Sequence, residues 1–433
     1  MKKIISLIIV CTIIISGMFM YNKSDKKDLL EDNNGPIIAA VIDGKASTTF
    51  PTTNKYVATV ECTRNGVKQD VDAKAIWNGT KWVVSFNDIS AGNVRCNVTF
   101  ITKVPTFSET ILANNEVKTP ITTPASAIST ADEALLASAE DDYGTSYYFR
   151  GAVTNNYVEF ANKCWRIVRV GGDGSVKLIL HNDNTAGVAN PCDSANNSAN
   201  AAFARYAGTS YSSAFNTNSS NNAYVGFKYG TVGASDYATT HANTNNSTIL
   251  TNLETWYNNN LKTYADAIAD TVWCNDKTNV TDTTFNPYNY SNVNGLGYAK
   301  NVTYYGATQR LVSTSGSAGG TGPSLKCNGE LSKINSKVGL ITADELAYAG
   351  YAAYGSGNTT TYLQENATDT WWWSLSPNGF NGGVAYVWLV GGSDGYFASS
   401  YVGDTGGVRP SISLKPSTNV TGNGTSEKPY VVN

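Results

Sequence analysis

Six cysteines, at positions 62, 96, 164, 192, 274 and 327, follow what reads as an N-terminal export signal, and that combination restricts the fold more than any other feature of the chain. The signal, MKKIISLIIVCTIIISGMFMYNKSDKKD, has two lysines, an apolar run from Ile4 to Met20, and then Lys23, Lys26 and Lys27. An exported chain meets an oxidising compartment, where an even set of cysteines reads as disulfides. No two are spaced as CxxC, which argues against zinc and thioredoxin-type redox chemistry. Six cysteines allow many pairings; sequence order favours Cys62 with Cys96, Cys164 with Cys192 and Cys274 with Cys327. Cys11, in the middle of the apolar run, is not placed as a lipoprotein cysteine would be.

The apolar run is at the lower limit for a bilayer-spanning helix, and no clear A-x-A site follows it. Residues 1–22 therefore read as an uncleaved membrane anchor in preference to a removed signal peptide, and residues 23–36 as a polar tether. In either case the product works outside the cytoplasmic membrane, secreted or held to it through the N-terminal helix.

The net charge is -3, with 31 Lys and Arg against 34 Asp and Glu, which gives no basic field for a phosphate backbone and excludes nucleic acid as the natural partner. Charged residues are only 15% of the chain, below the roughly 25% of ordinary soluble proteins. Asn, Ser, Thr, Gly and Tyr fill the difference, a surface suited to hydrogen bonding and stacking with neutral partners; an AT-rich genome that inflates Asn and Lys codons is the competing explanation.

From residue 37 to 104 short alternating runs (YVATVECT, AKAIWNG, KWVVSFND, VRCNVTFI), with a hairpin signal at NGTK, fit a small Ig-like β-sandwich acting as a spacer, with Cys62–Cys96 as its staple. Residues 105–140 carry Pro105, Pro120 and Pro124 and read as a linker, with a short helix in TADEALLASAE. The main domain, 141–418, opens with two strands joined at Gly171–Gly174. A helix over STILTNLETWYNNNL, capped by Ser247 or Thr248, precedes a second one from about Lys262 to Ala269. A further helix starts at the Thr342/Glu345 capping box and ends near Gly355. Short strands with Gly-rich turns run from Thr370 to Leu414. Helices beside antiparallel strands make this domain α+β; residues 419–433 read as a tail.

Catalytic templates fare poorly. GGSDG at 391–395 matches G-x-S-x-G, but Ser393 precedes a turn and strand where the motif needs a helix, and both histidines lie upstream of it. His181 and His241 read as surface polar residues. Asp141 and Asp142 are adjacent, as are Asp344 and Glu345, and chain neighbours do not converge on one sugar bond. A glycosidase requires distant carboxylates to meet in the fold. No metal cluster and no cofactor motif is present, although the loops GGDGS, HNDN and GGSDG offer oxygen ligands that calcium accepts.

The order VGLITADELAYAG, WWWSLSP, a Gly-rich stretch and GGVRPSISL resembles a C-type-lectin-like domain of the formylglycine-generating-enzyme and diversity-generating-retroelement variable-protein type. Domains of this kind occur in exported proteins of gut Firmicutes and their phages, with a tryptophan pair, Ser-Pro and a closing Gly-Val-Arg-Pro. The resemblance covers residues 145–418. It implies the binding use of the fold, because the late cysteine pair of the enzyme branch and the histidine cluster of related iron enzymes are missing. Ser374-Leu375-Ser376-Pro377 also departs from the usual Trp-Leu-Arg-Ser-Pro.

In variable proteins that resemble this chain, side chains on the last strands contact the partner. By that resemblance Asn381, Tyr386, Trp388, Asp394, Tyr396, Ser399, Tyr401 and Asp404 are candidate contacts for a protein or glycan. Trp371 and Trp373 face one side of an extended strand and Trp372 the other, so at least one face is core and the three read as mainly structural. Arg409 reads as an internal clamp to Glu345. The implied protein is an adhesin-like surface binder without catalysis; a structural cell-envelope protein is the alternative, and behind it a glycosidase-type enzyme.

Overall fold

The computed structural model describes residues 37–70, 72–87, 94–124, 133–355 and 360–432. The anchor and tether read at residues 1–36 lie outside the described residues, and among the described residues no helix is long and apolar enough to cross a membrane. The chain is mostly β-sheet with few helices. It divides into two units, Met1–Pro105 and Thr106–Asn433.

In the first unit, burial alternates along Tyr56–Arg64 and Val94–Thr102, the period of a half-buried sheet. Five strands lie in the order Lys45–Ser47, Ile37–Ile42, Val94–Thr102, Tyr56–Arg64, Val67–Gln69, with only Ile37–Ile42 parallel to its neighbour Val94–Thr102. The hairpin Asp72–Trp77/Trp82–Asn87 turns at the expected NGTK and brings Trp82 within 5.2 Å of the Phe100 ring. Cys62 and Cys96 are disulfide-bonded, but they sit opposite each other on neighbouring strands, Cα atoms 4.0 Å apart. The bridge therefore staples one sheet internally, whereas a sandwich staple would join two.

The second unit begins earlier than expected. Residues 107–114 form a helix with a capping box, Thr106 with Glu109, and bury Phe107 and Ile111 in the main core. The expected helix in TADEALLASAE is instead a strand, Ala134–Asp141, paired along its whole length with Gly144–Gly151. Leu136 and Ala137 gain burial against Phe149 and Tyr148 across the pair, and that packing outweighs their intrinsic helix preference. The expected tail also joins the sheet: Tyr430–Val432 runs parallel to Tyr157–Phe160, and the Tyr430 hydroxyl, its ring wholly buried, accepts from Asn114 Nδ2 at 3.1 Å.

These elements make one sheet in the order Ser411–Leu414, Val176–Asn182, Lys163–Val170, Tyr157–Phe160, Tyr430–Val432, Val420–Thr421. Lys163–Val170 and Val176–Asn182 join at residues 171–174 as expected. An additional hairpin turns at Ala161 and Asn162, both at positive φ (53° and 57°), the backbone a two-residue loop requires. A second sheet orders Ser212–Ala214, Thr405–Gly407, Trp372–Asn381, Val384–Val390 and Phe397–Tyr401, with Thr303–Tyr304 added to Trp372–Asn381. Disulfides link Cys164 to Cys192 and Cys274 to Cys327.

Helix Thr248–Asn260 is capped by Ser247, whose Oγ accepts from Leu250 N at 3.2 Å, and it buries Ile249, Leu250, Leu253, Trp256 and Tyr257. The second helix expected after it is only a short 3-10 turn, Lys262–Tyr264. Helix Ala343–Ala349 carries the expected capping box but ends at Gly350, whose φ of 117° is open to glycine, and not at Gly355. Trp372 and Trp373 are fully buried on the two faces of their strand, and Trp371, half-buried, lies edge-on to Trp373 at 4.7 Å and closes over Gly406. A Cβ at Gly406 would meet the Trp371 ring at 2.2 Å, so that glycine is a packing requirement.

Candidate functional site

The eight candidate contact residues fall on or beside the hairpins of the second sheet. Tyr386 and Tyr401 are register partners on adjacent strands, with ring centroids 4.9 Å apart. Tyr401 is 46% exposed and Tyr396, on the turn before its strand, 37%. Asp394 is exposed and accepts from Tyr396 N at 3.0 Å, which shapes that turn. Asn381, Ser399 and Asp404 are half-buried, and Asp404 accepts from the Ser400 hydroxyl. Trp388 does not belong with them: it shares Tyr386's face of the strand but is fully buried, because Phe397 at 4.9 Å and Tyr354 at 5.5 Å cover its ring.

The structure adds tyrosines that sequence reasoning missed. Tyr290 stacks on Tyr304 at 4.9 Å with nearly parallel rings; Tyr354 donates to the Tyr288 hydroxyl at 2.6 Å and its ring lies 6.4 Å from Tyr396. Burial, and then the neighbouring phenols Tyr304, Tyr386, Tyr354 and Tyr401, push Tyr290 well above the ordinary phenol range. Burial, and then the Tyr401 hydroxyl, do the same for Tyr386. The ring contacts join these phenols in one cluster, and the shifts keep Tyr290 and Tyr386 neutral at physiological pH. Tyr288 and Tyr290 come from NPYNYSN, a loop without hydrophobic period, and Tyr354 from the segment after the Ala343–Ala349 helix. Tyrosine density was the one available signal. Neutral rings flanked by Ser399 and Asn381 can stack on, and hydrogen-bond to, an uncharged partner.

A second concentration of polar groups lies around the Cys274–Cys327 disulfide, in a cleft with about 50 Å³ of free space, room for a few waters. Arg169 bridges Asp141 (2.8 Å) and Glu345 (3.0 Å), and Lys177 reaches the same Glu345 oxygen at 2.6 Å. Arg310 grips Asp344 with two nitrogens, at 2.7 and 2.8 Å, and Asp276 with a third at 2.7 Å. Burial would raise the Glu345 carboxyl, but Lys177 and Arg169 beside it, with the Thr342 backbone, hold it down at about 2. Each of these carboxylates is paired with a cation.

Arg409 is buried as expected of a clamp, but its partner is not Glu345. It donates through Nε to Leu180 O at 2.9 Å and through Nη1 to Leu363 O, and lies over the Trp372 ring at 4.9 Å. Glu345 is already saturated by Arg169, Lys177 and its helix cap. Burial pulls the Arg409 guanidinium down to about 10. Both histidines are fully buried, contrary to the surface reading. His181 lies on an all-buried strand, and His241 is packed between Tyr237 and Tyr305 with Nε2 2.7 Å from Gly297 O.

In the loops considered for calcium, Asp173 accepts from Ser175 N and Oγ, and Asp183 pairs with Lys163 at 2.7 Å. Among the described residues no three His, Cys, Asp or Glu side chains gather to hold a metal ion. Comparison with protein-family models, curated proteins and solved structures finds no match to the chain.

Proposed function

We propose that the chain is an exported bacterial surface-binding protein, adhesin-like and secreted or anchored through its N-terminal run. In this reading an Ig-like spacer carries a C-type-lectin-like head, and the head engages a protein or glycan through its tyrosine face. The observation that carries the reading is the cross-strand pair Tyr386/Tyr401, with Tyr396 beside it and Tyr354 and Tyr290 from other segments, in one aromatic face beside the late hairpins. That is where the resemblance to variable proteins puts partner contacts. Three disulfides suit the oxidising compartment an exported chain enters. The test is to probe glycan and host-surface protein arrays with the purified chain, with and without calcium. Retained spots that Tyr386→Ala removes support the reading; a folded chain that retains nothing turns it to the structural envelope role.

A further inference from the structure

A group of buried donor atoms around Arg409 makes no hydrogen bond with the described residues. Arg409 is 1% exposed, and its Nη2 has no hydrogen-bond partner among the described residues. The Tyr362 hydroxyl and the indole Nε1 of Trp372 are likewise buried without a partner, and the Trp372 ring lies under the Arg409 guanidinium. His181 completes the group. Its Nε2 lies 3.2 Å from Asn366 Nδ2 and 3.8 Å from Glu365 Oε2; in the tautomer that accepts from Asn366 the ring proton sits on Nδ1, which has no partner among the described residues.

Charge follows the same direction. Arg166, also buried, lies over the Tyr362 ring at 5.3 Å and pairs with Glu365 at 2.9 Å. Glu365 is used up: Tyr157 Oη donates to the same oxygen at 2.9 Å and Asn197 Nδ2 to the other at 2.8 Å. Among the described residues, the hydrogen-bond partners of Arg409 are two carbonyl oxygens, with no carboxylate. The cluster is therefore net positive and rich in donors lacking an acceptor. A buried charge without a counter-charge is expensive, and so is each unmade hydrogen bond. Water would supply an acceptor but no negative charge, and would bring hydrogens needing acceptors of their own.

We infer that this cluster binds a small monovalent anion of about chloride size, with Arg409 Nη2 and the Tyr362 hydroxyl as principal donors and the His181 Nδ1 and Trp372 Nε1 hydrogens beside them. The ion ties strand Val176–Asn182, through His181, to strand Trp372–Asn381 and to the GGVRP segment, so its role is structural and independent of any ligand on the tyrosine face.

The experiment is thermal unfolding of the purified full-length chain in sodium gluconate, chloride and bromide at matched ionic strength. Linkage predicts a melting temperature about 3 °C higher in chloride and bromide, saturating with anion concentration. Tyr362→Phe should weaken the apparent anion affinity by about tenfold, and Arg409→Met should abolish the halide dependence. If Arg409→Met does not fold, Tyr362→Phe decides alone. Bromide scattering within hydrogen-bond distance of Arg409 Nη2 in a crystal supports the site. Equal melting in all three salts, or a halide effect that Tyr362→Phe leaves intact, overturns it.

Discussion

The cleft beside Cys274–Cys327 and the tyrosine face on the late hairpins treat polarity in opposite ways. In the cleft, Asp141, Arg169, Lys177, Asp276, Arg310, Asp344 and Glu345 are largely buried and joined at 2.6 to 3.0 Å. On the face, Tyr386, Tyr396 and Tyr401 pair no charges and reach solvent. The first arrangement uses charge to fasten strands Ala134–Asp141, Lys163–Val170 and Val176–Asn182 and helix Ala343–Ala349 into one scaffold. The second leaves amphipathic rings free to meet a partner. A chain with few charged residues places several of them where they hold the fold.

That contrast is broken or sharpened by substitution. Arg310→Ala leaves Asp344 and Asp276 buried without their cation and should cost about 4 kcal/mol, read from denaturant melts. Trp388→Ala should cost a similar ~3–5 kcal/mol because it empties a core site, unlike its neighbours on the face. Acid should reach the cleft next. The Glu345 carboxyl lies near 2 when folded, below its ordinary value, so its stabilisation is whole above about pH 4.5 and lost as pH falls toward 2. The loss is about 3 kcal/mol, and Glu345→Gln should flatten that part of the pH–stability curve. Smallest, Tyr401→Ala on the exposed face should change stability by no more than about 0.5 kcal/mol. If Tyr401→Ala costs as much as Trp388→Ala, the face is core and the contrast fails.

Local signals in the chain were the readable part. Thr342 with Glu345 and Ser247 before an amphipathic run announce helix starts because capping depends on residues three apart. The disulfide pairing followed sequence order because each pair closes a short to moderate loop, 34, 28 and 53 residues apart. What stayed hidden depended on distant partners. Ala134–Asp141 has helix-forming residues and becomes a strand only because Gly144–Gly151 pairs with it. Tyr430–Val432 joins the sheet through a parallel neighbour some 270 residues earlier in the chain. His181 and His241 looked like isolated polar residues, and long-range packing buries both. Of the site, the Tyr386, Tyr396 and Tyr401 part was visible in the late strands, whereas Tyr288, Tyr290 and Tyr354 arrive from segments with no period to read. Arg409 was legible as a clamp, but its carbonyl partners belong to backbone that sequence does not place.

The most direct measurement compares array binding and melting temperature for the wild-type chain, Tyr401→Ala and Tyr386→Ala. The account predicts that both variants melt close to wild type and lose the retained protein or glycan. Binding that survives both substitutions at full strength would contradict it and move the contact surface off the tyrosine face.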